Sequence, residues 1–291
     1  MLVHRQSRPT PPARVVVMGA GGFVGSALAS RLARDSVPVL ALGRGEVDLL
    51  APNAAERLAA MLRPDDAFVA VSARAPCRNA DMLIENMIMA RAMVRALAHS
   101  PVAHVVNISS DAVYADGPLP LSESSCASPG SVHGAMHIAR EVLFASEQPA
   151  PLAVLRPSLL YGASDPHNGY GPNRFRREAA RGADIVLFGE GEERRDHVYV
   201  EDVAEIVARA LLHRSSGVLN IATGEVHSFR SIAEKIVELS GRQVAIKGTP
   251  RTGPMPHGGY RPFDAAATHE AFPDFRYTPL ERGLELSQQR R

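Results

Sequence analysis

Cysteine is nearly absent: Cys77 and Cys126 are the only two in 291 residues. Two cysteines make neither a disulfide framework nor a zinc site, so they point to a reducing compartment, the cytoplasm, with each one reading as a small buried hydrophobe. Charge of one sign is lacking too. Against 32 Lys and Arg stand 31 Asp and Glu, a net charge of +1, which gives no electrostatic case for nucleic acid or an anionic membrane as partner. No apolar run approaches the length of a membrane span. The first thirteen residues are polar and proline-rich and hold no apolar stretch, which reads as a disordered tail and not a signal peptide. Internal repeats and low-complexity tracts are missing as well. What remains, 45% hydrophobic and 22% charged, is an ordinary globular composition. The length accommodates one large α/β domain with a smaller lobe, or two domains.

The stretch from Arg14 to Leu28 organises the rest. Val15, Val16, Val17 and Met18 form an unbroken apolar run, the pattern of a strand buried on both faces of a parallel sheet. Gly19, Gly22 and Gly25 follow at three-residue spacing, and then Val24, Ala27, Leu28 and Leu32 recur as one face of a helix. A strand, a glycine turn and a helix in that order bring backbone N–H groups and a positive helix end to where a pyrophosphate can sit. The spacing is G-x-x-G-x-x-G, unlike the commoner G-x-G-x-x-G. Gly19, Gly22, Phe23, Val24 and Gly25 are therefore candidate cofactor contacts. After the second strand, Val37 to Leu42, stands Arg44, where an acidic residue would read a ribose hydroxyl and an arginine can pair with a 2′-phosphate. This favours NADP(H), with NAD(H) the alternative. Asp48 falls near the adenine, and Ala73 lies in the loop after the strand Ala67 to Ser72, at the sheet edge where open α/β folds bind ligands.

Strands and helices alternate over the first 165 residues, which predicts a doubly wound parallel sheet, a Rossmann-type α/β fold, with right-handed crossovers. The expected organisation is a tail over 1–13, a dinucleotide-binding domain over 14–165 and a smaller substrate lobe over 166–291. Within the last, residues 197–222 return to the sheet. Helices are expected over Ala54 to Leu62, Asp81 to Ala98, Pro129 to Ser146, Arg174 to Arg181, Glu201 to His213 and from Ser228 to Gly241. The methionines of the Asp81 helix read as core or subunit-contact residues.

Four stretches together resemble the extended short-chain dehydrogenase/reductase family, the branch of nucleotide-sugar epimerases, dehydratases and reductases. They are GAGGFVGSAL at Gly19, ISSDAVY at Ile108, RPSLLYG at Arg156 and GEGEERRDHVYVEDVA at Gly189. The segment LGRGEVDL at Leu42 is similar to the NADPH-using dTDP-sugar 4-ketoreductases of that branch. The resemblance runs from Arg14 to Leu284. It implies a nicotinamide cofactor on the sheet and a nucleoside diphosphate sugar in the cleft under the small lobe. Residue by residue, it implies Ser110 as the hydroxyl that holds the reacting oxygen and Asn86, the asparagine on the helix below the site, as a cofactor contact. It further implies Asn173, Arg195 and Arg261 as contacts of the nucleotide's phosphates, with Asp196 orienting the turn. It also implies a homodimer, paired through Asp81 to Ala98 and Val132 to Ser146.

The family's Tyr and Lys, four residues apart, are replaced here by His133 and His137, in a frame kept by Pro129, Gly134 and Glu141. A histidine titrates near neutrality, so His133 can exchange a proton without a lysine, with His137 one helical turn away to orient it. Two like charges so close would not coexist, so both imidazoles are not charged together. Three other readings stay open. The pair could ligate a metal, although the glutamate of H-E-x-x-H is missing. The fold could bind cofactor without catalysis, as a sensor or scaffold. Or the acid/base could be Tyr114, Tyr161 or Asp111.

Overall fold

In the computed structural model, which describes residues 1–147 and 149–289, the strands are β1 (Leu2–Val3), β2 (Arg14–Met18), β3 (Val39–Leu42), β4 (Asp66–Ala70), β5 (His104–Ile108), β6 (Leu152–Pro157), β7 (Leu159–Tyr161), β8 (Ile185–Phe188), β9 (Arg194–Tyr199), β10 (Ser216–Ile221), β11 (Val226–Ser228), β12 (Ile246–Thr249) and β13 (Tyr260–Arg261). The helices are α1 (Phe23–Arg34), α2 (Ala54–Ala59), α3 (Ala80–His99), α4 (Val132–Glu147), α5 (Pro172–Ala180), α6 (Val200–Leu212), α7 (Phe229–Ser240), α8 (Ala266–Ala271) and α9 (Leu280–Gln289). A 3-10 turn, Asp111–Val113, follows β5, and a second 3-10 segment, Pro256–Gly259, precedes β13.

Seven strands form the main sheet in the order β1-β10-β6-β5-β4-β2-β3, all parallel except β1. Its central strands are mainly apolar because both faces are covered, with Asn107 of β5 and Arg156 of β6 among the buried polar exceptions. Val15 and Val17 of β2 pack into the cluster under α1 and α6, while Val16 and Met18 pack among Leu58 of α2, Met93 and Leu97 of α3 and Phe144 of α4. Each such fully buried valine contributes roughly 1.5–3 kcal/mol relative to exposure.

The smaller lobe is built on a four-stranded sheet in which β9 pairs with β7, β11 and β13, and on the parallel pair β8–β12. The chain re-enters the main sheet through α6, packed on α1, and β10, paired with β6. His197 to Tyr199 belong to β9 in the lobe, and the return runs from Val200.

The N-terminus departs from expectation. Residues 1–13 are not a loose tail: Leu2 and Val3 pair antiparallel with Gly217 and Ser216. His4 bonds the Ser215 hydroxyl and the Ala271 carbonyl, each at 2.8 Å. The N–H groups of Arg5 and Gln6 reach the His213 carbonyl. The physical reason lies in β10, whose free edge offers unpaired backbone groups that a short polar segment can satisfy. Cys77 is buried as expected, whereas Cys126 is exposed on the loop before α4.

Candidate active site

At the carboxyl ends of the parallel strands a cavity of about 1150 Å³ opens between the main sheet and the lobe. The glycine turn forms one wall. A Cβ on Gly19 would lie 2.7 Å from the Ser72 nitrogen, and one on Gly25 would lie 2.1 Å from the Gly19 carbonyl oxygen. Both positions therefore require glycine, whereas nothing stands within 4 Å of a Cβ on Gly21. α1 opens on Gly22 with no side-chain cap and no acidic residue in its first turn, leaving its positive end free for an anion. Gly19, Gly22, Phe23, Val24 and Ala73 line the cavity, while Gly25 lies behind, where the helix closes on the turn. A second recess of about 430 Å³ continues past Arg44, Ser72 and Met89, which line both spaces. Arg44 is 79% exposed, with Nε 3.6 Å from the Asp48 carboxylate. Asp48 lines the recess, and Glu46 is turned away to accept the Gly43 N–H at 2.8 Å. This cradle fits a dinucleotide. Met89 packs against the core cluster, as the core reading of its helix has it, and also lines both spaces.

Asn86 is not on the cavity wall. It is fully buried, accepts the Arg74 N–H at 2.8 Å and donates to the Arg74 and Met82 carbonyls. Its amide is occupied, so it positions the Ala73–Arg74 loop and has no group left to reach a cofactor.

The reacting end is formed where the 3-10 turn meets α4. Gly134 sets the distance, since a Cβ there would be 2.0 Å from the Ala112 carbonyl oxygen. Ser110 caps the turn: its Oγ accepts the Ala112 N–H at 3.2 Å and donates to Asp111 Oδ1 at 3.2 Å. Ser110, Asp111, His133 and His137 all line the cavity. The two imidazoles meet edge to face with centroids 4.7 Å apart. His133 Nδ1 accepts the Cys77 N–H at 3.3 Å.

Neither histidine titrates as the sequence leads one to expect. Burial lowers the His133 pKa below its ordinary value, with Asp111 pulling the other way. Burial, then the neighbouring His133 and Arg140, push His137 well below it, and its buried Nδ1 has no partner. Both are neutral imidazoles at physiological pH. Arg140, one turn beyond His137, is fully buried and donates to the Ser72 and Ala70 carbonyls and to Asn107 Oδ1. Burial lowers its pKa to about 10, so it remains a cation beneath the cavity floor. Both lysines of the chain, Lys235 and Lys247, are in the lobe on α7 and β12, off the cavity wall.

Two of the alternative acid/base candidates are withdrawn from the cavity. The Tyr114 ring lines it, but its hydroxyl points into the core, donating to Asn220 Oδ1 at 2.7 Å and accepting from Arg156 at 2.8 Å. Arg156 in turn grips Glu141, which also takes the Ser109 hydroxyl at 2.5 Å, completing a buried polar network under the site. The Tyr161 hydroxyl is sealed against Gly283 with no partner. Asp111 remains in place, its Oδ2 3.5 Å from Arg261 Nε and 4.0 Å from Arg195 Nη2. Among the described residues no group of three potential ligands stands ready for a metal ion.

The lobe side holds Asn173, Arg195 and His197 on the cavity wall. Asn173 starts α5 and ties it to the Leu160–Gly162 segment. Arg195 is already engaged by Glu193 at 3.1 Å. Arg261 stands behind the wall, not on it. It is 1% exposed and donates to Asp116 at 2.5 Å and to the Asp111 carbonyl at 3.0 Å, so it braces the 3-10 turn and offers no free fork to a phosphate. Asp196 accepts from Ser158, Thr223 and Gly224, which orients the turn after β10. His197 was not singled out from the sequence, yet it follows Arg195 by two on a strand and so faces the same way. Its Nδ1 pairs with the Arg195 carbonyl at 3.1 Å, its Nε2 is buried without a partner, and burial pushes its pKa down to about 3. Arg140 had no such signal.

Comparison with known proteins places this geometry. Residues 15–222 match the NAD dependent epimerase/dehydratase family. The dTDP-6-deoxy-L-talose 4-dehydrogenase (NAD(P)(+)) of Kitasatospora kifunensis is 29% identical, covering 84% of this chain and 86% of that one. The UDP-glucose 4-epimerase of Mycolicibacterium smegmatis is 28% identical over 78% of this chain and 83% of its own. Among solved structures, the UDP-glucose 4-epimerase of Thermotoga maritima with UDP-glucose superposes with a TM-score of 0.83, covering 95% of this chain and 97% of that one at 22% identity. A GDP-L-fucose synthetase from Naegleria fowleri gives 0.85 at 17% identity, covering 98% and 95%. At such identity the structural likeness shows the fold.

Proposed function

The chain belongs to the NAD-dependent epimerase/dehydratase family, and we propose that it is an oxidoreductase acting at a sugar carbon of a nucleoside diphosphate sugar. The observation that carries this reading is that the glycine turn, Ser110, His133, His137 and Arg195 all line one cavity. A bound nicotinamide supplies or takes up the hydride. The chain's own residues do the rest. The Gly19–Gly25 turn and the start of α1 hold the pyrophosphate, and Arg44, exposed on the wall of the recess beside Asp48, favours NADP(H) over NAD(H). Ser110 and His133 hold the reacting oxygen. His137 packs against His133, and the pair stays neutral through burial. Arg195 meets the substrate diphosphate by exchanging part of its contact with Glu193. The subunits pair through α3 and α4, which lie side by side and expose Ile84 at 58% and Val142 at 59%. Such a patch buries itself against its own copy about a two-fold axis.

The test is a panel of UDP-, dTDP- and GDP-sugars, in alcohol and 4-keto forms, with either nicotinamide cofactor, followed by nicotinamide absorbance. Turnover on one of them, faster with the phosphorylated cofactor, is expected. Binding of cofactor and sugar nucleotide without any turnover would instead identify a non-catalytic member.

A further inference from the structure

At the reacting end the hydrogen-bond polarity of each group is already set. His133 Nδ1 accepts the Cys77 N–H, so in the neutral ring the proton sits on Nε2. An imidazole that serves as a base carries the reverse arrangement, with Nδ1–H donated to an acceptor and a lone pair on Nε2. To take up a proton, His133 would have to set Nδ1–H against the Cys77 N–H in a buried position, where burial already opposes the charged form. It is a donor. Ser110 has the opposite character. Its Oγ proton goes to Asp111 Oδ1 and one lone pair takes the Ala112 N–H, which leaves one lone pair for a ligand. A donor and an acceptor on one wall match an alcohol: its oxygen accepts from His133 Nε2–H and its proton is given to Ser110 Oγ.

We propose that the proton of the reacting oxygen is exchanged with the Asp111 carboxylate through the Ser110 hydroxyl, while His133 serves as a fixed hydrogen-bond donor to that oxygen. The proposal rests on the oxidoreductase reading above. In the oxidising direction the substrate O–H bond breaks and its proton forms a new O–H bond on Ser110 Oγ. The proton Ser110 already carried passes to Asp111 Oδ1. The electron pair of the C–H bond leaves with the hydride, which is the nicotinamide's share, and a carbonyl remains. Reduction is the same path reversed, Asp111 returning the proton. The charged and titratable groups facing Asp111 are Arg195 from β9, Arg261 from β13 and His133 from α4, and Ser110 adjoins it in sequence. With the Tyr114 hydroxyl engaged in the core and Tyr161 sealed away, Asp111 is the one of those three candidates left on the wall, and it is the one Ser110 Oγ already donates to.

Two measurements test it. The first needs no turnover: protein labelled with ¹⁵N-histidine is observed by long-range proton–nitrogen correlation from pH 7 to 8. The His133 signals are identified by their loss in His133→Gln. A bare Nδ1 and a protonated Nε2 throughout that range are expected, and an Nδ1–H tautomer or an imidazolium in that range would overturn the donor role whatever the substrate is. The second compares rates at saturating cofactor. Asp111→Asn, whose amide oxygen can still accept from Ser110 but cannot take a proton, should lose about 10²–10⁴-fold. His133→Gln keeps an N–H donor and should lose less than about tenfold, and His133→Phe clearly more. Near-full activity in Asp111→Asn, or His133→Gln as inactive as His133→Phe, returns the proton to His133 and refutes the relay. Absence of turnover in the wild type would defeat the oxidoreductase reading, and the NMR result would still decide the tautomer.

Discussion

The two ends of the cavity are built from different materials. The cofactor end is backbone: Gly19 and Gly25 stand where a Cβ would meet the Ser72 nitrogen or the Gly19 carbonyl oxygen, and the helix start behind them is uncapped. The reacting and lobe ends are side chains already committed to one another, with Arg195 on Glu193, Arg261 on Asp116, and the Ser109, Glu141, Arg156 and Tyr114 network below. A backbone cradle presents free N–H groups to an anion. A side-chain site must lose some internal contacts before it can hold a charged ligand, so its affinity depends on exchange.

The largest effect expected from breaking that contrast lies in the network. The Glu141 and Arg156 side chains are buried, with a 2.5 Å contact between them. Arg156→Met should destabilise the fold by about 3–5 kcal/mol, since it leaves a buried carboxylate with no countercharge and only the Ser109 hydroxyl as partner. Urea unfolding reads this directly, and replacement of both partners by apolar residues should recover much of the loss. Next comes the cofactor end. Arg44→Asp should reverse the preference between the two cofactors, removing about 1.5–3 kcal/mol of NADPH binding in titration calorimetry, the scale of a charged hydrogen bond. Equal affinities that the substitution leaves unchanged would exclude a role for Arg44.

Within the glycine turn, Gly25→Ala should cost about 1–3 kcal/mol through overpacking, and cofactor affinity with it. Gly21→Ala, with open space around it, should leave the melting temperature unchanged.

The smallest effect is spread over the histidines. Burial lowers His104 to about 4 and His197 to about 3, against 6.5 in the unfolded chain. Between those values the unfolded state binds more protons, so stability falls as pH drops below 6.5. The loss is about 1.4 kcal/mol per pH unit for each such histidine. Unfolding free energies that are flat between pH 7 and 5 would contradict neutral burial of these rings.

The same contrast decides what was legible in the sequence. The glycine turn could be read directly because spacing and residue type carry its whole message, and so could the alternation that makes a doubly wound sheet. The tail could not, because polar residues at the start look alike whether they are loose or complete the β10 edge. Asn86 and Arg261 stand in motif positions, but a motif does not say which partner holds the side chain. For Asn86 it is the Arg74 backbone, and for Arg261 it is Asp116 with the Asp111 carbonyl. His133 could be located by its frame, but its tautomer depends on the Cys77 N–H from a loop 56 residues away. Arg140 sits on a helix with no pattern to mark it.

Cofactor and sugar are expected to meet in this cavity for hydride transfer. The most direct measurement uses NADPH deuterated at the transferring position, with 4-keto sugar nucleotides as acceptors and mass spectrometry of the recovered sugar. One deuterium on the sugar carbon is expected with the wild type, with a sharply reduced yield in Ser110→Ala. No deuterium in any sugar, with cofactor and sugar nucleotide both shown to be bound, would contradict it.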